Sequence, residues 1–288
     1  MKQSVGRTTP VLLLVRGDFR ETQRALGDLK RAGRTVAVSL KETGLHQIAN
    51  QLCHASKLER FLAIVRTADA CIGTTPEAAD IYRQARGDNA RVEFIPTPYP
   101  LDDQRWDFSR PVEQRAGIFV GTREFDVPSR NHLAALLLAR QLSDTTGEPV
   151  TVYNCNGRTG ERLIAQLGFR ADKLRVCTGA LAYPEYVRQI AQHKIVLQLD
   201  TSFVPGQVAG DAMLARVPCV GGKGAVDRIA FPECCGANRS IEELASIAHH
   251  LLTHRAAYNQ QLEAMGRSAE QLSFSTAAEQ LRTFFSQL

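Results

Sequence analysis

Short apolar runs alternate with longer helical stretches along the whole of this chain, and that alternation leaves few architectures open. A strand buried on both faces reads as an unbroken aliphatic run, and parallel strands need a crossover helix between them. The pattern therefore predicts an α/β protein with parallel sheets covered by helices. At 288 residues the chain suits two domains better than one.

In the first half, strands are expected at Val11–Val15, Thr35–Leu40, Ala70–Thr74 and Val92–Ile95. Helices are expected over 20–32, over most of 45–67, and over 76–86, where Pro76 falls in the first turn and its missing N–H costs nothing. The cluster Pro96-Thr97-Pro98-Tyr99-Pro100 fits neither a helix nor an inner strand, so an interdomain linker is placed at about 97–115. In the second half, strands are expected at Ile118–Val120, Val150–Tyr153, Leu174–Cys177, Ile195–Leu199 and Cys219–Gly221. Helices are expected over 130–143 with Ser129 as cap, 160–167, 183–192, 206–215, and near 240–254 and 256–272. Thr276-Ala-Ala-Glu279 has the spacing of a capping box, which opens a last helix over 277–287. The domains so drawn are 1–110, 111–275 and a terminal helix 276–288.

The formal charge of +5 fits a phosphate binder but is equally met by ordinary surface solvation, and a nucleic-acid partner is not expected from it. Seven cysteines, an odd number, include no Cys-x-x-Cys pair, so buried thiols in a reducing compartment are expected rather than a zinc site. Lys2 and Arg7 precede the five apolar residues Val11–Val15, too few for a signal-peptide core. The longest apolar run, Leu133–Ala139, is far below the roughly 20 residues of a membrane helix. The chain is read as soluble and cytoplasmic, with its oligomeric state open.

The stretch Gly206–Gly224 carries the most chemistry. A glycine turn enters a helix beginning near Gln207, a Pro218-Cys219-Val220 strand follows, and a second glycine turn, Gly221-Gly222-Lys223-Gly224, follows that. A glycine turn at a helix N-terminus points backbone N–H groups at one spot, which suits a diphosphate. Asp211 lies one to two turns into the helix, where its carboxylate would accept hydrogen bonds from ribose hydroxyls. Turn glycines and a solvated helix charge are the plainer reading.

This segment resembles the donor-site signature of retaining GT-B glycosyltransferases of the group 1 or family 4 type: Glu, seven residues, Glu-Ala-Met-Ala, then Gly-x-Pro-Val. Asp211-Ala212-Met213-Leu214-Ala215 stands in the place of Glu-Ala-Met-Ala, and Pro218-Cys219-Val220 in that of Pro-Val-Val. Two departures are evident. The second acid is shortened to Asp, and the first is replaced by Phe203, which cannot hydrogen-bond a donor sugar. Ile118-Phe-Val-Gly121-Thr-Arg123 resembles the turn that opens the family's C-terminal domain, with Arg130 in place of the lysine that follows it. Thr178-Gly179-Ala180-Leu181-Ala182-Tyr183 resembles the loop that holds the nucleobase. The likeness spans about 65–288 and is specific in the C-terminal half.

The resemblance implies two Rossmann-like domains, each a parallel sheet flanked by helices, with a cleft between them. It implies a metal-independent, cofactor-free sugar transfer from a UDP- or GDP-sugar to a hydroxyl acceptor on a glycan, a lipid-linked intermediate or a small molecule. The donor residues would be Gly121, Arg123, Arg130, Gly179, Tyr183, Gly206, Gln207, Asp211 and Lys223. Arginine pairs suit a diphosphate, and Tyr183 could stack on a base or simply pack at its helix start. The acceptor side nominates His46 and Asp18 as catalytic residues, Asp18 because it follows the first strand at the ligand-binding end. Alternatives stay open: a degenerate GT-B protein that binds a nucleotide or a partner subunit without turnover, sugar-nucleotide epimerisation, or glycosylation of modified DNA.

Overall fold

The computed structural model describes residues 9–87 and 91–288, so Lys2 and Arg7 lie outside the described residues. Its elements in chain order are β1 Val11–Val15, α1 Arg20–Arg31, β2 Val36–Leu40, α2 Leu45–Leu52, α3 Ala55–Thr67, β3 Ala70–Gly73, α4 Pro76–Arg86 and β4 Val92–Phe94. Then come β5 Ile118–Val120, α5 His132–Thr146, β6 Val150–Tyr153, α6 Gly157–Gln166, β7 Leu174–Cys177, α7 Tyr183–Ile190, β8 Ile195–Leu197, α8 Gln207–Leu214 and β9 Cys219–Val220. The chain closes with α9 Ala225–Ala230, α10 Ile241–Thr253, α11 Arg255–Ala269 and α12 Phe274–Ser286. The expected α/β class with parallel sheets is borne out.

Two compact units are present. One comprises Met1–Thr97, Phe203–Pro205 and Ser275–Leu288; the other comprises Pro98–Ser202 and Gly206–Phe274.

The first unit holds a four-stranded parallel sheet in the order β1-β2-β3-β4. Each crossover steps in the same direction, and right-handed crossovers then place all the intervening helices on one face. Period-2 alternation shows the consequence. Val36, Val38, Leu40, Cys71 and Val92 point into a core with Phe61, Ile64 and Tyr82 from α3 and α4. Ala37, Ala70 and Ile72 point the other way, and α12 covers them with Ala277, Leu281, Phe284 and Phe285. Those four residues fall at i, i+4, i+7 and i+8, one stripe of a helix. The cover stops short of the edge strand β1, where Leu12 and Leu14 are 43% and 50% exposed.

The second unit holds a five-stranded parallel sheet in the order β7-β6-β5-β8-β9. The order runs outward from β5 in both directions, so helices cover both faces and a topological switch point lies between β5 and β8. Its core includes Phe119, Leu136, Val152, Ile190, Val196 and Phe231. Tyr99 and Phe108, within the stretch expected to be linker, are buried in the same core. Two 3-10 turns, Gln104–Trp106 and Val112–Gln114, also lie in that stretch.

Three local expectations need correcting. Ser129 does not cap a helix over 130–143: Pro128–Arg130 forms a 3-10 turn, Asn131 is left-handed at φ 48°, and α5 starts at His132. Thr276 does not cap the last helix either, because that helix starts at Phe274 directly after the extended Ser273. The strict capping box in this region is Ser240–Glu243, whose side chains and backbone N–H groups bond reciprocally at 3.2 and 2.7 Å. Third, α9 occupies residues where no helix is expected.

Candidate nucleotide site

The switch point of the second unit is built from strand ends and helix beginnings. β5 is followed by Gly121, whose N–H donates to the Leu197 carbonyl of β8 at 2.9 Å. A Cβ on Gly121 would lie 2.4 Å from Val208 Cγ1, so only glycine lets the first turn of α8 approach the strand end this closely. Gly206 leads into α8 at φ 97°, and a Cβ there would meet Asp227 Oδ2 at 2.9 Å. No side chain caps α8, so its first N–H groups, starting at the exposed Gln207, are free of intrahelical partners. The N-terminus of α5 lies beside the same β5 loop. There His132 is buried, and its Nδ1 is 3.0 Å from Thr122 Oγ1. Burial pushes the His132 pKa down to about 4, which leaves a neutral ring at physiological pH.

A second glycine turn faces this one. Gly221 follows β9 at φ 101°, and a Cβ on Gly222 would lie 2.1 Å from Asp227 Oδ1. Asp227 is fully buried, and its Oδ1 accepts from Gln198 Nε2 at 2.7 Å. Further backbone hydrogen bonds come from Asp227 itself and from Gly224, the N-cap of α9. Burial is the main reason its pKa is pushed up to about 7, and the Asp200 charge adds to this. One carboxylate thus underlies both glycine turns. Asp227 is not among the residues expected at the site, although Gly224-x-x-Asp227 after a glycine turn has the spacing of a helix start.

Asp211 is buried on α8, and its Oδ1 accepts a 2.5 Å hydrogen bond from Tyr183 Oη. Burial pushes the Asp211 pKa up to about 6, against the opposing effects of that bond and of the nearby Arg123 charge. Arg123, half exposed, also reaches Glu124 at 3.3 Å. Tyr183 lies against Trp106 with ring centroids 5.5 Å apart. Beneath α8, a Cβ on Gly210 would come within 1.8 Å of Tyr99 Cζ, so the helix is seated directly on that buried ring.

The structure therefore brings Tyr183, Asp211 and Arg123 together, and sets Gly121 against the Gly206–Gln207 helix start. Arg130 is engaged just beyond β8: its guanidinium pairs with the buried Asp200, which also accepts from the Ser202 N–H at 2.7 Å. Lys223 is tied through its backbone, donating to the Asp200 carbonyl at 3.0 Å, and its side chain is half-buried. Gly179, at φ 85°, has open space around it in an exposed loop. His46 and Asp18 belong to the first unit, and both are exposed. His46 Nε2 lies 3.2 Å from Asn50 Nδ2. Asp18 accepts from the Arg20 N–H at 3.1 Å and forms an ion pair with its guanidinium, as expected of an acid at the start of a helix. Phe203 holds a left-handed φ of 50°, unusual for a residue with a bulky side chain. No helix among the described residues is long and apolar enough to cross a membrane, and they contain no cluster of metal-binding side chains.

No family model matches the chain, and no curated protein matches it. Solved structures do. The Anabaena protein HepE in complex with UDP aligns at a TM-score of 0.73 and 14% identity, over 96% of this chain and 79% of that one. Trehalose-6-phosphate synthase, studied for glycosyl transfer with retention, aligns at 0.69 and 12% identity over 99% and 75%. A glycosyltransferase from Rickettsia africae aligns at 0.68 and 11% over 96% and 76%. Identities this low establish architecture and leave chemistry to the site. The chain has the GT-B fold of glycosyltransferases.

Proposed function

We propose that this chain is a nucleotide-sugar glycosyltransferase. The observation that carries the reading is the convergence at the switch point of the second unit. There two helix N-termini, the buried Asp211 carboxylate and the Arg123 guanidinium meet beside glycine turns packed too closely for a side chain. In this reading the diphosphate of a UDP- or GDP-sugar lies against the N-termini of α5 and α8. Arg123 and Lys223 add positive charge to it, and Asp211 accepts from the ribose. Tyr183 and the loop from Thr178 border the base. As the bond from sugar to diphosphate breaks, the negative charge on the leaving group grows, and these preorganised dipoles and cations stabilise it without a metal ion. The acceptor hydroxyl forms the new bond and loses its proton, for which Asp18 and His46 are the proposed bases. Support comes from HepE, which was solved with UDP, with UDP-glucose, and with UDP and glucose.

A thermal-shift panel of UDP, GDP, ADP, CMP, dTDP and their common sugars, on wild type and Arg123→Ala, tests the proposal. A ligand that binds the folded chain raises its midpoint by mass action. A selective shift with one base, lost in Arg123→Ala, is expected; no shift with any nucleotide would overturn the reading. A second reading has one specific observation in its favour. Phe203 stands where the resemblance places the sugar-facing acid, as in a protein that binds a nucleotide without turnover. Selective binding with neither transfer nor donor hydrolysis, unchanged by Phe203→Glu, would decide for it.

A further inference from the structure

The acid proposed to take the ribose is already occupied. Asp211 is buried, and its Oδ1 accepts the Tyr183 phenol at 2.5 Å. An O–H donor directed at a carboxylate oxygen is also what a ribose hydroxyl would present there. The two partners differ in freedom to move. Asp211 is held in place: Tyr99 fills the space beside the neighbouring Gly210, and Ala209, Ala212 and Met213 are all buried. Tyr183 is the first residue of α7, is 37% exposed, and follows the uniformly exposed loop 178–182. Within that loop, Gly179 has a left-handed φ of 85° and no atom within 4 Å of where its side chain would stand.

Resting on the glycosyltransferase reading, we propose that Tyr183 is a latch on the donor site. Its hydroxyl stands in for a ribose hydroxyl in the empty protein and is displaced when a nucleotide enters. Displacement exchanges one charge-assisted hydrogen bond for another, so the latch lowers donor affinity while keeping the buried carboxylate hydrogen-bonded when no donor is present. The groups facing Asp211 are Tyr183 and Tyr186 of α7, Tyr99 beneath α8, and Arg123 of the β5 loop. Among these, Tyr183 alone has its hydroxyl within hydrogen-bonding distance of the carboxylate.

The test is calorimetric titration of the full chain and of Tyr183→Phe at pH 7.5. The probe is UDP, or whichever diphosphate of the panel binds, together with its 2′,3′-dideoxy counterpart. Tyr183→Phe keeps the ring against Trp106 and removes only the hydroxyl. The expected result is roughly tenfold tighter binding of the ribonucleotide, about 1.4 kcal/mol, with no gain for the dideoxy probe, which has no hydroxyl to offer Asp211. Unchanged or weaker ribonucleotide binding, or an equal gain for both probes, overturns the latch and leaves the donor site standing. Failure of both proteins to bind any diphosphate overturns the donor reading and the latch with it.

Discussion

The two sheets of this chain are made of the same material and wound differently. Both are parallel, and both are lined by aliphatic strands. The first runs β1-β2-β3-β4 in one direction, while the second reverses at β5. Reversal gives the second sheet helices on both faces and a crevice where strand ends and helix N-termini meet, and the candidate site lies there. The one-directional sheet has its crossover helices on a single face. Among the described residues, α12 covers its other face over β2, β3 and the residues leading out of β4. Winding order, rather than composition, thus separates the two sheets.

The largest test of that contrast is Phe284→Ala. Phe284 is buried against Ala37, Ala70 and Ile72, and deleting a buried aromatic ring costs about 3–5 kcal/mol. Urea denaturation followed by circular dichroism is expected to show a loss of this size; a loss below about 1 kcal/mol would mean that α12 does not close the sheet.

A middle-sized effect belongs to the second unit. Burial raises the Asp227 pKa to about 7 and the Asp211 pKa to about 6, above the ordinary carboxylate value near 3.8. At these two carboxyls the folded protein holds protons that the unfolded chain has already lost, so their contribution to stability falls as pH rises from about 4 through 6 to 7, while that of His132, whose folded pKa of about 4 lies below the imidazole value near 6.5, rises over the lower part of that range. The groups around Asp227 are Gln198, Asp200 and the Cys219 thiol. Asp227→Asn removes one of the two carboxyl titrations, so between pH 5 and 8 the thermal midpoint of the variant should fall less, or rise more, than that of the wild type. An unchanged slope would mean that Asp227 does not titrate in this range.

The smallest effect is predicted at Leu12 of β1. Because α12 leaves this edge uncovered, Leu12→Ser should move stability by no more than about 0.5 kcal/mol. A larger loss would show that the outer face of β1 is covered in solution.

Much of the architecture was legible from local signals. Aliphatic runs spaced by helical stretches marked the strands, and the glycine turns at Gly206 and Gly221 marked the edge of the sheet. The order of the strands was not legible, because it is decided by long-range packing that no single segment carries. The destination of α12 was hidden for the same reason: its stripe Ala277, Leu281, Phe284 and Phe285 announces a buried face but not which face it meets. Within the site, Asp211 and Tyr183 were each readable, but their meeting was not, since residues 28 apart were brought together by the fold. Charge and position point to Arg130, but its ion pair with Asp200 is visible only in three dimensions. Asp227 is hard to read from sequence because a buried acid has no sequence pattern apart from the turn it caps.

The seating of α12 on Ala37, Ala70 and Ile72 also has a consequence for biosynthesis. Domains commonly fold in order as they leave the ribosome, the N-terminal one first. Here the first sheet is translated early, yet one of its faces stays open until residues 277–285 have been made, after the whole second unit. The second unit, complete by Phe274, contains every strand and helix of its own core and can settle first. Until α12 is made, Ala37, Ala70 and Ile72 lack the cover it gives them, so the packing of the first unit waits on residues that follow the second.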